Sequence, residues 1–180
     1  PNSVTSIGRN AFDSCKNVKK VNIPASVKTI AYWGFNYCNS VDSLIIPPSI
    51  NTLNECAFAF AKELVTLSIP STITTAYYSN TLEGCSNLSY LYMYLPKPPS
   101  AGSNTLVSVD KNSCILYVPY GSKSIYQSTN YWKDFKRIIE MEGVTPSTNY
   151  MTISAKTTNS KIDVAASSTW TANSNQSWLT

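Results

Sequence analysis

The stretch Asn22-Ile-Pro-Ala-Ser-Val-Lys-Thr-Ile-Ala-Tyr-Trp-Gly-Phe-Asn-Tyr-Cys-Asn-Ser-Val-Asp-Ser-Leu-Ile-Ile-Pro47 decides the fold, because it contains one full period of a repeat. Ile23 and Pro24 return 23 residues later as Ile46 and Pro47, and again as Ile69 and Pro70. The same step links Ile7, Ile30 and Leu53; Phe12, Phe35 and Phe58; Val18, Val41 and Leu64; and Val21, Leu44 and Leu67. A fourth copy carries one extra residue, so Leu82, Cys85, Leu88, Leu91 and Met93 each fall 24 after their predecessors. A fixed period of roughly 20 to 30 residues means stacked supersecondary units, none able to bury its apolar face alone. The expected architecture is a β-rich solenoid.

Within one unit, Val21-Asn22-Ile23 alternates inward and outward as a short strand. Pro24 stops that ladder because it has no N–H to donate. Ser26 to Ile30 begins a second extended stretch, and Ala31 to Cys38 spaces Phe35 and Cys38 for a single helical turn with one face inward. Cys15, Cys38 and Cys85 share one repeat position, which Ala61 fills in the third copy. A position that takes either Cys or Ala is an inward slot for a small apolar group. Neighbouring coils stack at roughly 5 Å, which permits a Cys15–Cys38 disulfide, but buried free thiols are the expectation. Cys56 and Cys114 lie off this register, and no close C-x2-C pair points to zinc.

These residues carry a family resemblance. The pattern I-P-x-[ST]-[VI]-x-x-[IL]-x-x-x-[AG]-F-x-x-C-x-x-[VL]-x-x-[VL]-x-I-P, met from Asn22 to Pro47 and from Ile46 to Pro70, resembles the BspA-like leucine-rich repeats of bacterial surface proteins. The expected fold is therefore a leucine-rich-repeat solenoid over residues 1–95. Cys114-Ile-Leu-Tyr-Val-Pro-Tyr-Gly-Ser, with Ile125-Tyr126 and Tyr131-Trp-Lys-Asp-Phe downstream, is similar to the unit that closes such arrays. That places a C-terminal capping unit at 96–143. In it a strand ends at Pro119, a helix starts near Gly121-Ser122, and Trp132 and Phe135 cover the last coil. A linker follows at 144–148, rich in turn formers. Residues 149–180 read as the start of a β-sandwich. There, Ser168-Thr-Trp170 through Ser177-Trp178-Leu179 resembles the first half of a BACON domain, which implies glycan or mucin contact.

Composition excludes more chemistry than it offers. There is no His in the chain, which removes imidazole bases, His-dependent triads and His-ligated metals. Asp13, Asp42, Glu55, Glu63, Glu83 and Asp110 fall at variable, outward coil positions, with nothing to converge them as a glycosidase pair. The six Gly form no phosphate-cradling loop. No catalytic residue, cofactor or metal is expected. The net charge of +4 is spread thinly, and Lys133, Lys136 and Arg137 are too few for a nucleic-acid footprint. No apolar run approaches the ~18 residues of a membrane span.

The surface remains. Positions flanking the inward Val21, Leu44, Leu67 and Leu91 point outward in two rows: Lys20, Ser43, Thr66, Tyr90 and Asn22, Ile45, Ser68, Tyr92. With Tyr94, the fourth coil presents three tyrosines as an aromatic strip at one end of the sheet, unless Pro96 to Ser108 folds over it. Tyr offers flat apolar area and a hydroxyl at low entropic cost. A second outward set, Tyr32, Trp33 and Tyr37 with Tyr77 and Tyr78, lies near the turn side. Candidate ligand-binding residues are thus Tyr90, Tyr92, Tyr94, Ile45, Tyr32 and Trp33. The resemblance implies a non-catalytic adhesion module, secreted or at the bacterial cell surface, contacting host extracellular protein, mucin or glycan. The competing readings are a spacer that presents other domains, and an accessory part of a larger carbohydrate-active protein.

Overall fold

The computed structural model describes residues 3–73, 75–76, 80–141, 145–147 and 150–152. In chain order the elements are β1 (Ser6–Ile7), β2 (Thr29–Ile30), β3 (Ser43–Ile45), β4 (Thr52–Leu53), β5 (Thr66–Ile69), β6 (Thr75–Ala76), β7 (Tyr90–Met93), β8 (Ile115–Val118), α1 (Lys123–Ser128), β9 (Arg137–Glu140), β10 (Thr145–Ser147) and β11 (Tyr150–Thr152). Two parallel sheets run along a solenoid of leucine-rich-repeat type. One has the order β1-β2-β4-β6 and the other β3-β5-β7-β8-β9. The register is the repeat itself. Thr29 pairs Thr52 and Thr52 pairs Thr75, while Ser43 pairs Thr66 and Thr66 pairs Tyr90 across the one-residue insertion.

Each coil has three sides. A β-strand of the longer sheet ends at a proline, and the next turn closes by Val27 N–H donating to Pro24 C=O, or Ile50 N–H to Pro47 C=O. A two-residue strand of the shorter sheet follows. The third side was expected to be a helical turn and is instead two consecutive tight turns, each closed by a left-handed residue. Asn10, Trp33, Cys56 and Asn80 (φ 54 to 58) form one such series; Ser14, Tyr37, Phe60 (φ 54 to 58) and Gly84 (φ 77) form the other. The reason is spacing. An α-helix is about 10 Å across, and would hold this side of the coils at twice the strand separation. The tight turns instead bond to their neighbours: Phe12, Phe35 and Phe60 N–H donate to Gly34, Ala57 and Glu83 C=O. The third side is therefore a further inter-coil ladder.

The core is the stack of inward rows. Ile30, Ile50, Leu53, Leu67 and Leu91 are wholly buried, and Phe35 and Phe58 stack at 6.0 Å between centroids. The sequence rows overstate this core at its first coil. Phe12 stacks on Phe35 at 5.0 Å yet is 41% exposed, because only one of its faces has a neighbour. Val21 and Ile23 pack inward, but Val21-Asn22-Ile23 is not a strand and the ladder begins at Ser43. An edge segment gains bonds on one side only, so less holds it in register.

The repeat cysteines are free. Cys38 and Cys85 are buried, and each thiol meets the turn carbonyl of the preceding coil, Sγ to Phe12 O at 3.0 Å and Sγ to Phe58 O at 3.2 Å. Burial pushes the Cys38 thiol up to about 11 and the Cys85 thiol up to about 12, so both stay protonated and unreactive at neutral pH. Cys15, at the edge coil, is only half-buried. Where Ala61 takes this slot, an apolar cavity of about 10 Å³ is left, lined by Phe35, Cys38, Phe58, Ala61 and their neighbours. Ala61→Cys fills it and places a thiol beside the Phe35 carbonyl. We expect about 0.5 to 1 kcal/mol of added stability, read as a rise of about 1 to 4 °C in the melting temperature. A fall would mean the slot is already closely packed.

Beyond residue 95 the stack continues. Tyr90 pairs Ile115 and Ile115 pairs Arg137, so β8 and β9 extend the longer sheet. Helix α1 turns Tyr126 fully inward against Trp132 (5.6 Å, edge-on), and Trp132 stacks on Phe135. Further on, β10 and β11 pair antiparallel, so part of the 144–148 stretch read as linker is a strand. The Trp170 and Trp178 positions of the BACON resemblance lie outside the described residues.

Candidate functional site

The outward face of the longer sheet is built by the alternation of its strands. Leu44, Leu67, Leu91, Leu116 and Ile138 point into the core, so their neighbours on either side point out. Register then lines up two rows on that face along the stack: Ser43, Thr66, Tyr90, Ile115, Arg137 and Ile45, Ser68, Tyr92, Tyr117, Ile139, of which Ile115 is buried. Tyr94 follows β7, its N–H bonded to Ile69 C=O.

Tyr90 and Tyr94 are 40% and 46% exposed, and Tyr92 between them is half-buried. The segment Pro96 to Ser108 does not cover them. It passes instead over the end of the core, where Pro99 C=O accepts from Trp132 Nε1, Leu95 C=O accepts from the Tyr126 hydroxyl, and Leu106 and Val109 are buried. The strip expected at one end of the sheet stands in its middle, on the third of five strands, because β8 and β9 continue the ladder.

Sequence reading missed Tyr117. Its ring stacks on Tyr92 at 4.5 Å with planes 6° apart. Tyr92 and Tyr117 are 25 residues apart rather than 23 or 24, so no repeat register linked them. The signal that could have found it is the alternation of Ile115 to Val118 up to Pro119. Burial pushes the Tyr92 phenol up, helped by the nearby Tyr117, Tyr94 and Tyr90 phenols.

The stack makes the face asymmetric. On its β8 side the Tyr92 ring is covered by Tyr117, and on its β5 side its neighbour in register is Ser68. Tyr90 likewise has Thr66 on that side. The tyrosines thus rise as a step above a low terrace of Ser43, Thr66 and Ser68 hydroxyls, with Ile45, 69% exposed, beyond it. Ile45 belongs to the same surface as the tyrosine step.

The other candidates lie elsewhere. Tyr32 and Trp33 sit on the double-turn side, 6.5 Å apart and edge-on, with the Arg9 guanidinium 4.6 Å over the Trp33 ring. Tyr37, 39% exposed, stacks on Phe60 at 4.7 Å. Trp33 and Tyr37 thus have a ring face occupied by a neighbouring coil. Tyr77 and Tyr78 lie outside the described residues. Asp13, Asp42, Glu63 and Asp110 are exposed, and among the described residues no group of acids or cysteines could hold a metal ion. Nor is any described helix long and apolar enough to cross a membrane.

The repeat geometry has its counterpart among known families. Residues 1–97 match the BspA type leucine rich repeat region in six copies, which is more than half of the 180-residue chain. The chain belongs to that family, a repeat scaffold of protein-binding or surface modules rather than an enzyme family. Among curated proteins none matches it. Among solved structures, a leucine-rich repeat protein from Bacteroides ovatus is similar, with 23% identity over 66% of this chain and a TM-score of 0.40. This chain spans only 32% of that protein.

Proposed function

We propose that this chain is a non-catalytic binding module of a secreted or cell-surface bacterial protein, adhering to host extracellular protein, mucin or glycan. Its contact surface is the outward face of the longer sheet, centred on Tyr90, Tyr92 and Tyr94, with Ile45 at the margin. The observation that supports this most is the exposure of Tyr90 and Tyr94 on a hydrogen-bonded sheet, with the exposed Ser43 and Ile45 on the same face. A rigid platform loses little conformational freedom when a partner docks, and exposed tyrosines are the side chains that concentrate binding energy.

The test is immobilised chain against a panel of mucins, extracellular-matrix proteins and glycans, beside Tyr90/Tyr92/Tyr94→Ala. The three positions are on the surface, so the variant should melt within a few degrees of the parent. Binding by the parent that falls at least about 30-fold in the folded variant is the expected result. Equal binding by both moves the site elsewhere. No binding by either leaves the array a spacer that presents other domains.

A further inference from the structure

We infer that the terrace beside the tyrosine step is a cleft for an uncharged oligosaccharide, laid along β5 with its sugar rings against Tyr90 and Tyr92. This rests on the binding-module reading above and narrows it to one ligand chemistry.

Three features select that chemistry. The first is the one-sided step. Tyr92 is covered by Tyr117 on the β8 side, whereas Ser68 and Thr66 on the β5 side are too short to reach across the tyrosine faces. The two rings therefore form a wall, and β5 is its floor. Ile45 stands two strands from Tyr92, roughly 10 Å away at the usual strand spacing, and forms a low opposite rim. Four residues of β5 give a floor roughly 13 Å long. Its width suits a single flat ring and its length a short oligomer.

The second feature is polarity. The floor presents hydroxyls from Thr66 and Ser68, with Ser43 beside it on β3, and the wall carries phenols. A partner helix or apolar side chain would bury those hydroxyls without partners, which costs affinity. A sugar answers both surfaces, with C–H faces for the rings and hydroxyls for the floor. An extended peptide gains nothing from the backbone here. The strands on both sides of β5 already occupy its hydrogen-bonding groups, so no edge is open to an added strand.

The third feature is charge. No residue of the floor or wall is charged, and the fixed charges in the rows stand two steps away on either side, Lys20 from Thr66 and Arg137 from Tyr90. That is roughly 10 Å, about one Debye length at 0.1 M salt. An anionic polymer laid along β5 would meet no counter-charge within the cleft, and a neutral chain needs none.

The experiment titrates the full chain calorimetrically with cellohexaose, xylohexaose, mannohexaose and chitohexaose, and with hexagalacturonate as the anionic comparison. We expect a neutral hexasaccharide to bind with an affinity insensitive to salt. Ser68→Tyr, which extends the ring ladder over the open face of Tyr92, should weaken that binding at least about tenfold. Tyr117→Leu, on the covered side, should change it by less than about threefold. Both substitutions are on the surface of the sheet, and melting curves check their folds. Preference for hexagalacturonate overturns the inference, as does binding that survives Ser68→Tyr. If no hexasaccharide binds while the triple tyrosine variant still loses a protein partner, the inference fails and the binding-module reading stands. If nothing in either panel binds, both fall.

Discussion

Trp132→Ala should lower stability by about 3 to 5 kcal/mol, the largest single loss expected outside the repeat core. Trp132 is 1% exposed, stands edge-on to Tyr126, stacks on Phe135, and donates from Nε1 to Pro99 C=O at 2.9 Å. It joins α1 to the 96–108 segment, and both pack against the last described coils of the stack. Truncation leaves a ring-sized void and an unpaired carbonyl at one point. In a chain of 180 residues that corresponds to a fall of about 6 to 20 °C in the melting temperature. Because coils contact mainly their neighbours, the loss should be local first. Hydrogen exchange should accelerate in β8 and β9 before β3 and β5. Trp132→Phe keeps most of the volume and should lose about 1 to 2 kcal/mol, the share of the hydrogen bond and the smaller ring. Uniform exchange along the whole sheet would show that the array melts as one unit.

Gly84→Ala should cost about 2 to 5 kcal/mol, although the change adds one methyl. Gly84 ends the left-handed series that Ser14, Tyr37 and Phe60 occupy in the preceding coils. Positive φ alone is tolerated there, at about 1 to 2 kcal/mol for a residue with a Cβ. The larger cause is steric. A Cβ at Gly84 would lie 2.4 Å from Phe60 Cδ1 and 3.0 Å from Phe60 Cα, because the Phe60 ring lies down on the bare backbone of the next coil. Tyr37 stacks on the other side of that ring, so moving Phe60 also disturbs the stack, and overpacking of this kind costs about 1 to 3 kcal/mol. The sign of the coupling tests the cause. Phe60→Ala should be clearly less costly in the Gly84→Ala background than alone. Additive losses would mean that the backbone conformation, not the ring, makes Gly84 necessary.

Much of this was legible in the chain because a solenoid converts period into register. Once Leu44, Leu67 and Leu91 are placed in one inward row, Tyr90 and Tyr92 must fall on the outward face beside Thr66 and Ser68. What was not legible lay where the period slips or where local preference is overridden. Tyr117 sits one residue off any repeat step, so the ring that covers Tyr92 was invisible. The double turn was read as helical from the Phe35 to Cys38 spacing. Left-handed Trp33, Tyr37 and Phe60 are not residues that local preference would put there; each donates its N–H to the next coil, which helps hold it so. Val21 to Ile23 had the strand pattern without a second partner. Tyr32 is 40% exposed, as its place on the turn side implies, but sequence cannot show Arg9 folding over the Trp33 indole.

If partners meet the sheet face and not the turn side, tyrosine ring resonances report it directly. Chain labelled at its tyrosine rings would be titrated with the panel member that binds most tightly, and each signal assigned by single Tyr→Phe substitutions. We expect Tyr90, Tyr92 and Tyr94 to shift or broaden at the binding stoichiometry while Tyr32, Tyr37 and Tyr131 stay in place. Shifts at Tyr32 and Tyr37 with an unmoved Tyr90, Tyr92 and Tyr94 would contradict it and put the recognition surface on the double turns.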